Sequence, residues 1–335
     1  MKKFFYASFI LVCSLLTLSC SKNSKNKEKP LVLIMDEVNP PDTIVGQMDY
    51  AFKEKVEELS GGKIIIDLHT GGELGNNEQT MAMLLCNSEL LHISRISVSY
   101  LASIGGKKST LLVLPYTFTD KEDFWKFVNS PLANEFLDEL YQNGNGLKGL
   151  FYGEEGFRNF ISVKPIDNPS DFIGKTVRLP EDRIQHELVN QWGGTPILIG
   201  FDALARAMET GFADIADQPT VNYLANSFYT FAPNLTLSGH VLGVTEAVIS
   251  SKKWDSLTPW QQNILIEAGK YASECCHKIS NETETEALVK LEELGVNIIK
   301  PNKSVWLTAA RPIQQKYARE YQELYDQIKQ TINNQ

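Results

Sequence analysis

The sequence predicts an α/β protein of two lobes with mixed, largely parallel sheets, and three observations carry that expectation. Short apolar runs alternate with amphipathic helical patterns from residue 30 to residue 216, the rhythm of parallel strands flanked by helices. A helical pattern from residue 258 to about 294 would form a rod of roughly 50 Å at 1.5 Å per residue. That is too long for one lobe and long enough to lie across two. About 315 residues follow the N-terminal leader, enough for two lobes of ordinary domain size.

The leader is set aside first. Lys2 and Lys3 precede an apolar run over residues 4–18 that stops at Ser19-Cys20, as in a secretory signal. A small residue directly before the cysteine resembles a lipoprotein processing site, at which residues 1–19 are removed and Cys20 is acylated as the new N-terminus. Thr17 stands where such sites usually carry Leu, and an ordinary secretory signal or an uncleaved anchor is the alternative. The polar stretch 20–29 reads as a tether between membrane and domain. No later run reaches the ~18–20 uninterrupted apolar residues that span a bilayer.

Along the body, residues 30–38 read as a strand and 42–60 as an amphipathic helix closed by Gly61-Gly62, the usual glycine stop. Residues 63–69 return to strand. Gly71-Gly72-Glu73-Leu74-Gly75 reads as a turn, since no Gly-Lys-Ser/Thr ending follows to make a phosphate loop. Asn76 is the expected cap of the next helix, with Gln79 completing a capping box. Strands are expected at 90–98, 110–114 and 146–152, and helices at 120–129 and 131–141. A short helix starts at Asn168-Pro169 and stops at Gly174; strands at 175–179, 196–199 and 213–216 then alternate with helices at 181–192 and 202–210. This β-α rhythm offers a ligand site at the carboxyl ends of the strands. Thr258-Pro259-Trp260-Gln261 opens the long helix as cap, first-turn proline and capping-box partner. A final helix is expected over 304–331.

Charge and cysteine usage exclude several functions. The chain carries 32 basic and 41 acidic residues, a net charge of −9, and loss of the leader lysines takes it to about −11. Such a balance argues against a nucleic-acid partner, and an anionic ligand would need a locally basic pocket. Cys86, Cys275 and Cys276 lack metal-ligand spacing and a disulfide framework, and read as packing residues. The five histidines, His69, His92, His186, His240 and His277, include no pair at zinc-ligand spacing. No Gly-x-Ser-x-Gly nucleophile motif is present. Asp214 and Asp217, three residues apart on a strand-to-turn segment, need not share a cleft as glycosidase acids do. Neither a cofactor nor a metal nor catalysis is therefore expected.

Five landmarks then occur in one order: Gly156-Phe157-Arg158, Val177-Arg178-Leu179-Pro180, Gly200-Phe201, Thr210-Gly211-Phe212-Ala213-Asp214 and Asp217-Gln218-Pro219. Their order and spacing resemble the C-terminal core of the extracytoplasmic solute receptors of TRAP transporters, specifically in the second half of residues 30–299 and loosely in the first. The resemblance implies a periplasmic binding protein fold whose two lobes share the long helix, capture of a small organic acid by lobe closure, and delivery to membrane permease subunits. It also implies roles for particular residues. Arg178 would make a two-pronged salt bridge to the ligand carboxylate, chemistry to which a planar, permanently charged guanidinium is suited. Arg158 would support the anion, Phe201 would cover the ligand, and Gln218 replaces the family's usual Asn, moving its amide by about one methylene. Either arginine alone would read as structural, and Phe201 as core. Asn39 and Arg95 are further candidates from the N-terminal half; the alternatives are a turn role for Asn39 and a solvent-facing Arg95.

The expected division is 30–155 with 244–283 as one lobe and 156–243 with 284–335 as the other. Partners would be a carboxylate, the permease and, through Cys20, the membrane of a periplasm or cell surface. Two other readings stay open: a receptor for a larger, more apolar ligand, and a surface lipoprotein acting as scaffold or enzyme on the same fold.

Overall fold

The computed structural model describes residues 29–200 and 203–333. Nine strands are present among them: β1 (Leu31–Asp36), β2 (Ile64–His69), β3 (Ile93–Ser97), β4 (Leu147–Ser162), β5 (Thr176–Leu179), β6 (Thr195–Leu198), β7 (Ile215–Pro219), β8 (Asn234–Ser250) and β9 (Asn297–Ile299). They form one mixed sheet in the order β2-β1-β3-β8-β4-β7-β5-β6, with β9 on β8. Pairs β1–β2, β1–β3, β5–β6, β5–β7 and β8–β9 are parallel, and β3–β8, β4–β8 and β4–β7 are antiparallel.

The two long strands join the lobes. β4 and β8 pair from Leu147 with Ser250 to Ser162 with Asn234. At one end β3 adds to residues 245–249 of β8. At the other, β7 adds to residues 158–162 of β4 and β9 to residues 234–236 of β8. Between these ends the register shifts at Glu154/Phe157, where Gly156 adopts φ 85°. A bulge bends and twists a strand locally, and only glycine enters this backbone region without strain.

A 35-residue helix, Pro259–Glu293, lies along both ends. Thr258 accepts from the Gln261 backbone N–H and the Gln261 side chain returns to the Thr258 backbone, so the expected capping box forms. Ile264, Leu265, Ala268, Ala272 and Cys276 bury into the main core, while Leu291 joins Ile161, Ala216 and Leu235 at the far end. Helix Ile44–Ser60 packs beside it, capped by Thr43 and stopped by Gly61 at φ 61°.

Several local expectations are corrected. Residues 110–114 are not a strand: Ser109–Val113 is a buried 3-10 turn, with the Lys108 and Ser109 N–H groups donating to the Glu139 carboxylate at 2.8 and 3.2 Å. A short apolar run is ambiguous by periodicity alone; here the carboxylate holds the start of the turn, and the Thr110 and Leu111 N–H groups donate locally to the Gly106 and Lys108 carbonyls rather than to a strand neighbour. Asn77 rather than Asn76 caps helix Glu78–Asn87, accepting from Thr80 N–H at 3.1 Å. The helix of 131–141 divides into Pro131–Leu137 and Glu139–Gln142. The final helix likewise divides into Lys303–Ala318 and Gln322–Asn333 around a 3-10 turn. β4 continues past Tyr152 to Ser162, and β8, absent from the sequence expectations, is the longest strand. Cys86, Cys275 and Cys276 are free thiols; Cys276 is buried, but Cys86 is exposed on its helix and is not a core packing residue.

The spine meets β4 most closely at Gly269. A Cβ there would lie 2.7 Å from Phe151 Cδ1 and 2.9 Å from Phe151 Cβ. Gly269→Ala would gain about 1 kcal/mol of helix propensity, whereas overpacking of this kind costs about 1–3 kcal/mol. The expected result in urea unfolding is a net loss of roughly 1 kcal/mol. Equal or greater stability would mean that helix and strand have room to separate.

Candidate functional site

A cavity of about 480 Å³ opens between the two ends of the β4–β8 ribbon. Asn39, Glu78, Ser97, Tyr100 and Glu155 line one side, and Arg158, Arg178, Gln218 and Asn222 the other. A smaller space of about 340 Å³, lined by Phe157, Leu237 and Leu288 among others, carries no arginine among the described residues.

Arg178 reaches the cavity from β5, just before Pro180 ends the strand. It is 4% exposed, and its Nε donates to the Ile199 carbonyl at 2.9 Å. The β6 end thus fixes one side of the guanidinium at the carboxyl edge of a parallel pair, the usual place for a ligand in such sheets. Gln218 is buried on β7 and also lines the cavity.

Arg158 comes from β4, immediately past the bulge. Its Nε donates to Asp217 Oδ2 at 2.5 Å and its Nη2 to the Asp217 carbonyl at 3.4 Å. Burial alone would raise the Asp217 carboxyl, but the Arg158 charge and the neighbouring His240 outweigh it and hold the group below the usual carboxylate range. His240 Nε2 lies 3.8 Å from Asp217 Oδ2, its Nδ1 is 2.8 Å from Ser238 Oγ, and its ring stacks on Phe160 at 4.1 Å. Burial lowers the His240 pKa and so favours the neutral ring. Asp217 therefore stays ionised and orients Arg158, whose side chain keeps 17% exposure toward the cavity.

On the opposite wall, Asn39 lines the cavity. Its backbone N–H and its Nδ2 donate to Glu37 Oε1 at 2.6 and 2.9 Å, and Nδ2 also to Glu155 Oε1 at 3.3 Å. Arg95 is placed differently from the expectation of a third cation facing the ligand or a surface side chain. It is 1% exposed, and a two-pronged pair joins its Nε and Nη2 to Glu37 at 2.7 and 2.6 Å. Its Nη1 lies 2.5 Å from Glu78 and 3.4 Å from Glu155. Three carboxylates enclose the guanidinium behind the cavity wall, because a buried cation needs paired acceptors to offset desolvation. Deeper still, burial pushes Asp36 up to about 7 and Asp49 well above the usual range.

Arg158, Arg178, Gln218 and Asn39 thus share one cavity, while Arg95 supports its wall. Phe201 and Cys20 lie outside the described residues. The sequence reading missed Glu37, Glu78 and Glu155. Glu155 directly precedes the Gly156-Phe157-Arg158 landmark, a signal available but unread. Among the described residues, no group of three or more His, Cys, Asp or Glu suits a metal ion, and no helix is long and apolar enough to cross a membrane.

Residues 35–320 match the family model for bacterial extracellular solute-binding protein, family 7. The C4-dicarboxylate-binding protein DctB of Bacillus subtilis is 27% identical over 297 residues, 86% of this chain and 82% of the relative. A TRAP periplasmic solute-binding protein of Pseudomonas putida F1, crystallised with D-glucuronate, superposes with a TM-score of 0.84 at 22% identity, covering 89% of this chain and 97% of that one. Another, from Sulfurospirillum deleyianum with bound succinate, gives 0.81 at 23% identity over 90% and 99% of the two chains. With the family model spanning most of its length, this chain belongs to the DctP family, family 7 of the bacterial extracellular solute-binding proteins.

Proposed function

We propose that this protein captures a small carboxylate outside the cytoplasm, closes its lobes on it and delivers it to the membrane permease subunits of a TRAP transporter. The observation that carries the reading is the convergence of Arg178 and Arg158 on one cavity, with Arg158 oriented by buried Asp217. Arg178 makes the two-pronged contact, Arg158 adds the second positive group, and Gln218 and Asn39 donate amides from opposite walls. The lobes divide at residues 155/156 and 243/244 and again within the long helix, and ligand contacts to both stabilise the closed form. Acid ligands in related receptors, D-glucuronate and succinate, support a carboxylate here.

Binding proceeds without turnover, since differential contact with open and closed states is all the cycle requires of the receptor. The apolar-ligand alternative gains no support from a cavity lined by the buried amides of Gln218 and Asn222. Buried amides must be hydrogen-bonded, and an apolar guest would strand them.

Arg178→Ala is expected to cost about 2–5 kcal/mol in affinity, because it leaves a desolvated anion unpaired. Arg178→Lys is expected to lose affinity too, since a point charge does not reproduce the fork. Calorimetric titration with a panel including D-glucuronate, D-galacturonate and succinate measures both, and near wild-type affinity in Arg178→Ala would remove the clamp.

Cys20 is proposed as the acylated N-terminus that holds the receptor to its membrane, carrying more than one chain because a single acyl chain anchors only marginally. Radiolabelled palmitate is expected in the wild type and absent from Cys20→Ala; label retained by the variant would exclude this anchor.

A further inference from the structure

Charge is distributed unequally between the two poles of the cavity. Among the described residues that line it, the cations are Arg158, paired with Asp217, and Arg178, on one wall that also carries Glu181, while the opposite wall contributes Glu78 and Glu155 and no cation. The cation at that second pole, Arg95, is already committed to Glu37, Glu78 and Glu155 behind the lining. Three carboxylates against one guanidinium leave this pole with an excess of negative charge.

We infer that the pocket takes a polyhydroxylated monocarboxylate of sugar-acid type and discriminates against dicarboxylates, an inference that rests on the carboxylate clamp proposed above. One carboxylate is held at the arginine pole. A second, at the far end of the ligand, would be brought against Glu78 and Glu155 in a partly desolvated site, where like charges repel far more than in water. Hydroxyl groups suit the same place. Glu78 already accepts from Arg95 through Oε1 and from the Ser97 N–H and hydroxyl through Oε2, at 3.0 and 2.7 Å. Glu155 Oε1 receives Asn39 and faces Arg95. Carboxylates partnered in this way are strong acceptors for a neutral O–H and do not require a full cation from the ligand. Asn76, Asn77 and Gln79 border them, and each amide both donates and accepts, as a chain of hydroxyls demands. The same wall separates this chain from a receptor whose ligand carries a carboxylate at each end.

The test uses matched acids differing only at the terminal carbon: D-gluconate against D-glucarate and D-galactonate against galactarate, with D-glucuronate, D-galacturonate and succinate alongside. In calorimetric titration of the wild type, the best monocarboxylate is expected to bind at least about tenfold more tightly than any dicarboxylate. Glu155→Gln, checked for folding by thermal unfolding, is expected to shrink that ratio by roughly tenfold through improved dicarboxylate binding. A dicarboxylate that binds the wild type as tightly as the best monocarboxylate, and loses affinity in Arg178→Ala, overturns the discrimination while leaving the clamp intact. Monocarboxylate binding unchanged by Arg178→Ala overturns the clamp itself. No binding by any of these acids would overturn both, and the wild-type comparison stands even where the Glu155 variant fails to fold.

Discussion

The antiparallel pairing of β4 with β8, from Leu147 opposite Ser250 to Ser162 opposite Asn234, is the constraint on which the rest of the molecule depends. Each strand belongs to both ends of the sheet, so neither lobe can move without bending this ribbon. The bulge at Glu154/Phe157, with Gly156 in left-handed backbone, is one of three interruptions of this ladder, and an interrupted ladder bends at lower cost. Glu155 lies within that bulge and Arg158 just past it, and the two line opposite walls of the cavity. A change of bend therefore changes the separation of the two electrostatic poles directly. The long helix reinforces the same path, with Gly269 letting it approach Phe151 and Leu291 reaching the second core.

The buried charges follow two patterns with different consequences. Arg158 is matched to Asp217 and keeps an edge toward the cavity, so its desolvation is partly offset before a ligand arrives. Arg95 is over-matched by three glutamates, and two of them, Glu78 and Glu155, give the opposite wall its acidic character. Removing one partner of a buried pair costs more than the pair contributes, which makes each set a fixed element of the site rather than an adjustable one. Across the cleft, Ser99 Oγ donates to Asp182 Oδ2 at 2.8 Å, linking the short helix Val98–Ser103 that follows β3 to the cap of helix Arg183–Gln191.

Much of this organisation was legible in the sequence where local chemistry decides local structure. The Thr258-Pro259-Gln261 cap, the Gly61 stop and the β-α units around Arg178 depend on neighbours a few residues away, and the structure carries them as expected. Long-range pairing was less legible. The polar run Glu154-Glu155-Gly156 looks like a strand terminus, yet β4 continues through it because β8 and the spine bury it. β8 mixes Gly239, His240 and Glu246 into its apolar run, and only its partners make those residues internal. Arg95 shows the same limit: its three carboxylates come from residues 17, 58 and 60 positions away, beyond any local pattern.

Closure about the β4–β8 ribbon is the claim most directly open to measurement. Small-angle X-ray scattering on the full mature chain, with and without a saturating acid identified by calorimetry, reads the radius of gyration of both states. The account predicts a smaller radius with the acid bound, because the ligand's contacts to both walls favour the closed form. An unchanged radius at saturation would contradict it, and the ribbon would then be a static bridge between two fixed lobes.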